Sequence, residues 1–209
     1  MGQKGELTTR QKRALETRKL IFETALSLIL EKGFNSVHIE DIAKKAGTSV
    51  GLFYKYFKSK DEVVVEHYKK IDGVYLEAYE NLDPNVSSTE KLVQVLKAGF
   101  KFSEDLGKEF LGVLFSNQFG LKGDIHYVMS NQRRINRIVR NIVQEGQGNG
   151  EFRTDLDQDT IVSMIFRCYT GSYFEWTLME ESKGLTEEGI KFLQLFIEAA
   201  ISSSQRRPE

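Results

Sequence analysis

Apolar positions in this chain recur at helical spacing almost throughout, and no stretch alternates as a half-buried strand would. Ile21, Phe22, Ala25, Leu28 and Ile29 share one helix face. Gly33 ends that helix, with Lys32 in the last turn where the helix dipole favours a cation. A short second helix is predicted from Ile39 to Ala46, acidic at its start (Glu40, Asp41) and basic at its end (Lys44, Lys45). Gly47 closes it. Thr48 or Ser49 can cap a third helix, Val50 to Phe57, with Val50, Phe53 and Phe57 facing inward. Ser59 opens a fourth that continues to Leu82 through Val64, Tyr68, Ile71, Tyr75 and Ala78. Asp83-Pro84-Asn85 is the clearest break. Beyond it the spacing predicts helices over 88–105, 108–119, 124–146, 157–181 and 186–204, with a glycine-rich loop at 146–150. The expected fold is all-α, with about nine helices.

Composition narrows the class. Apolar residues make up 40% and charged residues 28%, as in globular proteins, and Pro84 and Pro208 are the only prolines. No apolar run reaches bilayer length, and the polar start MGQKGELTTRQKR lacks the apolar core of a signal peptide, so a cytoplasmic protein is expected. Cys168 is the sole cysteine, which excludes an intrachain disulfide and a Cys-based metal cluster. Charge is uneven: residues 1–70 carry 14 Lys/Arg against 9 Asp/Glu, and residues 71–209 carry 15 against 21. A cationic first third suggests a polyanionic partner at one end of the molecule.

Catalysis finds no machinery. Asp155, Asp157 and Asp159 imitate the start of a calcium loop, but Thr160 stands where such a loop needs Gly and Phe166 where it needs Glu. Gly146, Gly148 and Gly150 precede no Lys-Ser/Thr and open no phosphate-binding helix. His38, His67 and His126 accompany no nucleophile paired with a base. Neither a cofactor nor a metal is expected.

The two short helices around Gly47 are the informative feature. Helices of seven or eight residues are marginal alone and need tertiary support. Ala43 is small enough for close approach of the two, and Gly47 can take positive φ in the turn. This is a helix-turn-helix arrangement, whose second helix enters the major groove of DNA. Ser49, Gly51, Leu52, Lys55 and Tyr56 point outward on that helix, with Tyr54 at the margin. Hydroxyl, ammonium and phenol groups bond phosphates or base edges, and Lys58 and Lys60 follow where they could neutralise phosphates.

Residues 18–62 carry Gly33-Phe34, Ile42-Ala43, Ala46-Gly47, Phe53-Tyr54-Lys55-Tyr56-Phe57 and Ser59-Lys60 without a gap. This stretch resembles the DNA-binding domain of the TetR (tetracycline-repressor-like) family of bacterial transcription regulators. The resemblance implies that Tyr54, Tyr56 and Lys60 touch DNA and that Ser49, Val50, Gly51 and Leu52 stand where base edges are read. His38 takes a place usually held by a capping Thr, Thr48 replaces a usual Val, and Leu52 replaces a small polar residue. The expected DNA-binding set is therefore His38, Thr48, Ser49, Val50, Gly51, Leu52, Tyr54, Lys55, Tyr56 and Lys60.

The resemblance also implies a domain plan. Residues 10–60 form the helix-turn-helix domain, 61–82 a connecting fourth helix, and 83–205 a ligand-binding and dimerisation domain. The expected partners are double-stranded operator DNA, a small apolar or aromatic effector, and a second copy joined through the last two helices. Those two helices are apolar around more than one stripe, which fits one face for the monomer and one for a partner. Phe102, Phe115, Phe119, Tyr127, Arg167, Tyr169, Tyr173 and Trp176 are the candidate ligand residues. Arg167, within an apolar stretch, could meet a ligand carboxylate, pair with an acidic residue across a dimer, or snorkel to solvent. Arg133, Arg134, Arg137 and Arg140 cluster on one predicted helix and could attract an anionic effector, but read first as a solvated basic face. The expected function is a ligand-responsive repressor. The alternative is a helical ligand-binding or adaptor protein without DNA function, distinguished by salt-dependent retention on heparin or duplex DNA.

Overall fold

A computed structural model describes residues 8–119, 127, 130, 132–179 and 183–203. The first helix, α1 (Thr9–Lys32), begins where it does because Thr8 and Gln11 satisfy each other. The Thr8 hydroxyl accepts the Gln11 N–H at 3.3 Å and the Gln11 amide oxygen accepts the Thr8 N–H at 2.8 Å. Next come α2 (Ile39–Lys45), α3 (Val50–Tyr56) and α4 (Lys60–Tyr68). The remaining helices are α5 (Ile71–Glu80), α6 (Ser88–Leu106), α7 (Lys108–Phe119), α8 (Arg134–Gly148), α9 (Gln158–Leu178) and α10 (Leu185–Phe196). A π turn, Ile197–Ile201, follows α10. Among the described residues the fold is all-α, and an isolated antiparallel bridge joins Phe152 to Ser202.

The chain forms two compact units, residues 1–69 with 113–117, and residues 70–112 with 118–209. Ile21, Ala25, Ile42, Phe53, Phe57, Val63 and Val64 are fully or almost fully buried and make the core of the first unit. Each of these Ile, Phe and Val side chains contributes about 1.5–3 kcal/mol relative to exposure. Asn117 joins this unit by donating to the Asp61 carboxylate at 3.3 Å. In the second unit α6 packs on α5, α8 and α10, and α9 on α8 and α10. Tyr75, Leu92, Leu96, Phe100, Val139, Ile142, Phe152, Ile161 and Ile165 fill its core.

Three predicted helices differ from the structure. The fourth is not continuous to Leu82: Lys69 and Lys70 form a turn between α4 and α5. Gly73 N–H reaches the Lys70 carbonyl at 2.9 Å, a three-residue closure where the continuous helix would reach Lys69. Ten α-helices result among the described residues, in keeping with the expected all-α fold of about nine. Of the predicted helix over 124–146, residues 124–126, 128, 129 and 131 lie outside the described residues; α8 begins at Arg134, because Arg133 is extended (φ −64°, ψ 147°). The last helix likewise gives way to the π turn before 204.

Candidate functional site

The turn between α2 and α3 is closed by backbone bonds. Thr48 N–H bonds the Ala43 carbonyl at 2.9 Å and Gly47 N–H the Lys44 carbonyl at 3.2 Å, with Gly47 at φ +63°. Ala43 and Ala46 are buried. At the start of α2, the Asp41 carboxylate accepts the His38 N–H at 3.1 Å, and His38 itself is exposed. Ser49 caps α3: its Oγ accepts the Leu52 N–H at 3.2 Å. Phe53 and Phe57 are buried, with ring centroids 5.7 Å apart, and fix which side of α3 is left outside.

That outer side carries Ser49, Gly51, Tyr54 and Lys55, all exposed, with Val50, Leu52 and Tyr56 half-buried. Tyr54 is 55% exposed, its ring edge-on to Phe53. The Lys55 ammonium lies 5.8 Å from the Tyr56 ring centroid. Lys58 is exposed just beyond α3. Two residues of the predicted set sit differently. The Thr48 hydroxyl is buried, with no hydrogen-bond partner among the described residues, because its N–H closes the turn and carries the side chain inward. The Lys60 ammonium is half-buried over the Phe34 ring (4.2 Å) and donates to the Phe34 and Val37 carbonyls at 2.7 and 2.5 Å. Sequence reading passed over Arg18, whose guanidinium pairs with Glu66 and covers the Phe57 ring at 4.6 Å. The hydrogen bond to Glu66 holds its pKa above the ordinary value, against the opposing effect of burial.

The second unit holds a buried chain of hydroxyls. Tyr169 donates to the Leu96 carbonyl at 3.0 Å. A phenol has one proton, so Tyr75 and Tyr173, each 2.9 Å away, donate to Tyr169. Ser103 completes the chain with a 3.2 Å bond to Tyr173. Burial raises the Tyr75 pKa, which keeps this phenol protonated. Phe100 lies against both Tyr169 and Tyr173, centroids 4.4 and 5.0 Å away. Close by in sequence, Asp72 accepts from Arg133 Nε (3.1 Å) and Nη2 (3.0 Å) through one oxygen and from the Tyr127 hydroxyl (2.5 Å) through the other. Burial works against the Arg133 charge; the facing Tyr75, Asp72 and Tyr127 outweigh it, and the net shift is upward. Arg133 is thus a buried ion-pair member, not part of a solvated basic face.

The predicted ligand residues do not form one cluster. Tyr169 and Tyr173 belong to the hydroxyl chain, and Tyr127 to the Asp72 group. Phe102 is half-buried in the second unit, whereas Phe115 belongs to the segment grouped with the first. Trp176 is half-buried, with the Lys108 ammonium 5.4 Å from its ring. Arg167 is exposed on α9, outside the core. The Phe119 side chain and His126 lie outside the described residues. Asp72, Arg133 and Ser103 were not predicted; their partners are 55 to 70 residues away in the chain, and no local pattern marks such pairings.

Residues 21–66 match the family model of bacterial regulatory proteins, tetR family. The chain is 24% identical to the fatty acid metabolism regulator protein of Bacillus subtilis over 188 residues, covering 85% of this chain and 92% of that protein. It is 27% identical over 152 residues to the HTH-type transcriptional repressor KstR2 of Mycolicibacterium smegmatis, covering 71% and 73% of the two chains. Residues 21–66 are thus a TetR-family DNA-binding domain. The chain's fold also matches the crystal structure of Thermus thermophilus FadR, a TetR-family transcriptional repressor in complex with lauroyl-CoA. That match has a TM-score of 0.70 at 21% identity and covers 92% of this chain and 99% of that one. With this domain and with relatives named as regulators along most of its length, the chain is a DNA-binding transcriptional regulator, and these comparisons indicate no catalytic family. No helix among the described residues is long and apolar enough to cross a membrane, and no group of three or more His, Cys, Asp or Glu is placed to hold a metal.

Proposed function

We propose that this chain is a cytoplasmic repressor that grips a near-palindromic operator as a homodimer and releases it when a small, largely apolar effector enters the second unit. It acts by binding, not by catalysis. The observation that carries this reading is α3, with Phe53 and Phe57 buried and Ser49, Gly51, Tyr54 and Lys55 turned out beside the cation Lys58. Two copies would enter successive major grooves about 34 Å apart. Tyr54, Lys55, Tyr56 and Ser49 form the contact set, with Val50, Leu52 and His38 at its edge. Lys60 and Thr48 support it from within.

The exposed Phe174, Leu178, Phe192 and Leu195 on α9 and α10 support dimerisation through the last two helices. Effector identity draws on the relatives: one is named for fatty acid metabolism and one neighbour holds lauroyl-CoA, so an acyl thioester is the first class to test. The second unit's interior, apolar apart from Ser88, the Lys91–Glu145 pair, the tyrosine chain and the Asp72–Arg133 pair, suits the long apolar acyl part of such a ligand. Such a ligand shifts the DNA equilibrium only by its differential affinity for the two states.

Fluorescence anisotropy with a duplex from upstream of the chain's own gene tests the reading. Affinity should fall steeply with salt, and Lys55→Ala should lower the slope of log K against log salt by about one unit. Lauroyl-CoA should release the duplex. Binding that is indifferent to salt and to Lys55 would refute a DNA role for α3.

A further inference from the structure

The outer face of α9 combines features that the protomer itself leaves unexplained. Counted at 100° per residue, Met164, Arg167, Phe174, Glu175 and Leu178 all lie within about 60° of the direction of Gly171. Arg167, Gly171, Phe174, Glu175 and Leu178 are exposed, Leu178 at 66%. Phe192 and Leu195 of α10 continue the apolar surface at 55% and 57%. A groove of about 440 Å³ runs between the helices, with Arg167, Gly171 and Glu175 on one wall and Phe192 and Phe196 on the other. Two opposite charges therefore stand in the middle of an uncovered apolar face. Among the described residues neither side chain has an ion-pair or hydrogen-bond partner.

Their arrangement is self-complementary. Arg167 precedes Gly171 by four residues and Glu175 follows it by four, each about 6 Å along the helix axis. When a two-fold axis crosses a helix at right angles, a residue n places before the crossing comes level with the residue n places after it on the copy. A crossing at Gly171 thus sets Arg167 level with the partner's Glu175, and Glu175 level with the partner's Arg167. Gly171 also fits that role: a Cβ built on it meets nothing within 4 Å. Its own protomer does not require the missing side chain, whereas a second helix approaching there would.

We propose that α9 meets its two-fold copy at Gly171 and that two symmetry-related Arg167–Glu175 ion pairs set the register and select a second copy of this chain as partner. The inference rests on the dimeric reading above and adds to it the crossing point and the means of self-selection. Surrounding apolar side chains lower the local dielectric, so matched charges steer the pairing and like charges oppose a wrong partner.

Sedimentation equilibrium and native mass spectrometry of the full chain test this. Arg167→Glu and Glu175→Arg each bring like charges together at both contacts and should weaken dimerisation at least tenfold. The double variant R167E/E175R should recover the wild-type dimer, and an equimolar mixture of the two single variants should form the heterodimer. Both side chains are exposed, and far-ultraviolet circular dichroism would confirm that each variant remains helical. A wild-type chain that stays monomeric at tens of micromolar would refute the dimeric reading itself. A wild-type dimer that neither single variant weakens, or a double variant as weak as the singles, would overturn the ion pairs and leave the dimer standing.

Discussion

Replacing Asp72 with alanine removes the carboxylate from beneath Arg133, and the structure gives the size of the effect. Among the described residues three hydrogen bonds end on Asp72: two from the Arg133 guanidinium at 3.0 and 3.1 Å and one from the Tyr127 hydroxyl at 2.5 Å. The Arg133 side chain is 8% exposed and that of Asp72 19%, so water cannot fully replace the lost partner. Breaking a buried pair from one side costs about 3–5 kcal/mol. In a chain of this size each kcal/mol lowers the melting temperature by about 2–4 °C, giving a fall of roughly 6–20 °C. Arg133→Met strands only the better hydrated Asp72 and should cost less. The double variant Asp72→Leu/Arg133→Met removes both charges and should be more stable than Asp72→Ala alone. Calorimetry at one fixed protein concentration, needed because dimerisation would shift the midpoint, measures all three. A loss below about 1 kcal/mol for Asp72→Ala, or a double variant as unstable as the summed singles, would refute the reasoning that Arg133 depends on its partner.

Further outcomes follow from the same geometry. A Cβ at Gly99 would lie 2.3 Å from the Tyr169 hydroxyl and 2.3 Å from the Tyr75 ring, so Gly99→Ala should destabilise by about 1–3 kcal/mol in urea unfolding. Gly47→Ala forces a side chain to φ +63° in the helix-turn-helix and should cost about 1–2 kcal/mol, with DNA affinity falling in parallel. Burial pushes the Cys168 thiol up to about 11, so iodoacetamide should alkylate it slowly at pH 8 and faster as pH rises towards 11. The folded state disfavours this thiolate, so the associated stability is complete below the unfolded-state pKa near 9 and declines as pH passes from there to 11.

The first unit was largely legible because its signals are local. Gly33, Gly47, Ser49 and the Phe53–Phe57 spacing are each read within one or two turns, and the structure uses each as chemistry dictates. The break at Lys69–Lys70 was not legible. Val64, Tyr68, Ile71 and Tyr75 keep helical spacing straight through it, since both α4 and α5 bury apolar residues on that side. Gly73 nearby was the only hint, a residue that weakens helix by about 1 kcal/mol relative to alanine. The start of α8 was missed for another reason: Arg133 is drawn to Asp72, 61 residues away, and holds an extended backbone where periodicity alone continued a helix. Tyr169 and Tyr173 were singled out as aromatic, but what distinguishes them is a hydroxyl chain with Tyr75 and Ser103 that no spacing rule encodes.

The fastening of Lys60 bears on how genetic screens of this protein should be scored. Its ammonium fastens the link between α1 and α2 by holding the Phe34 and Val37 carbonyls. Alanine at that position would loosen the scaffold that presents α3, so derepressed colonies would arise without any lost touch to nucleic acid. The distinction shows in bulk observables: a lowered melting midpoint, with the number of counter-ions released per operator unchanged.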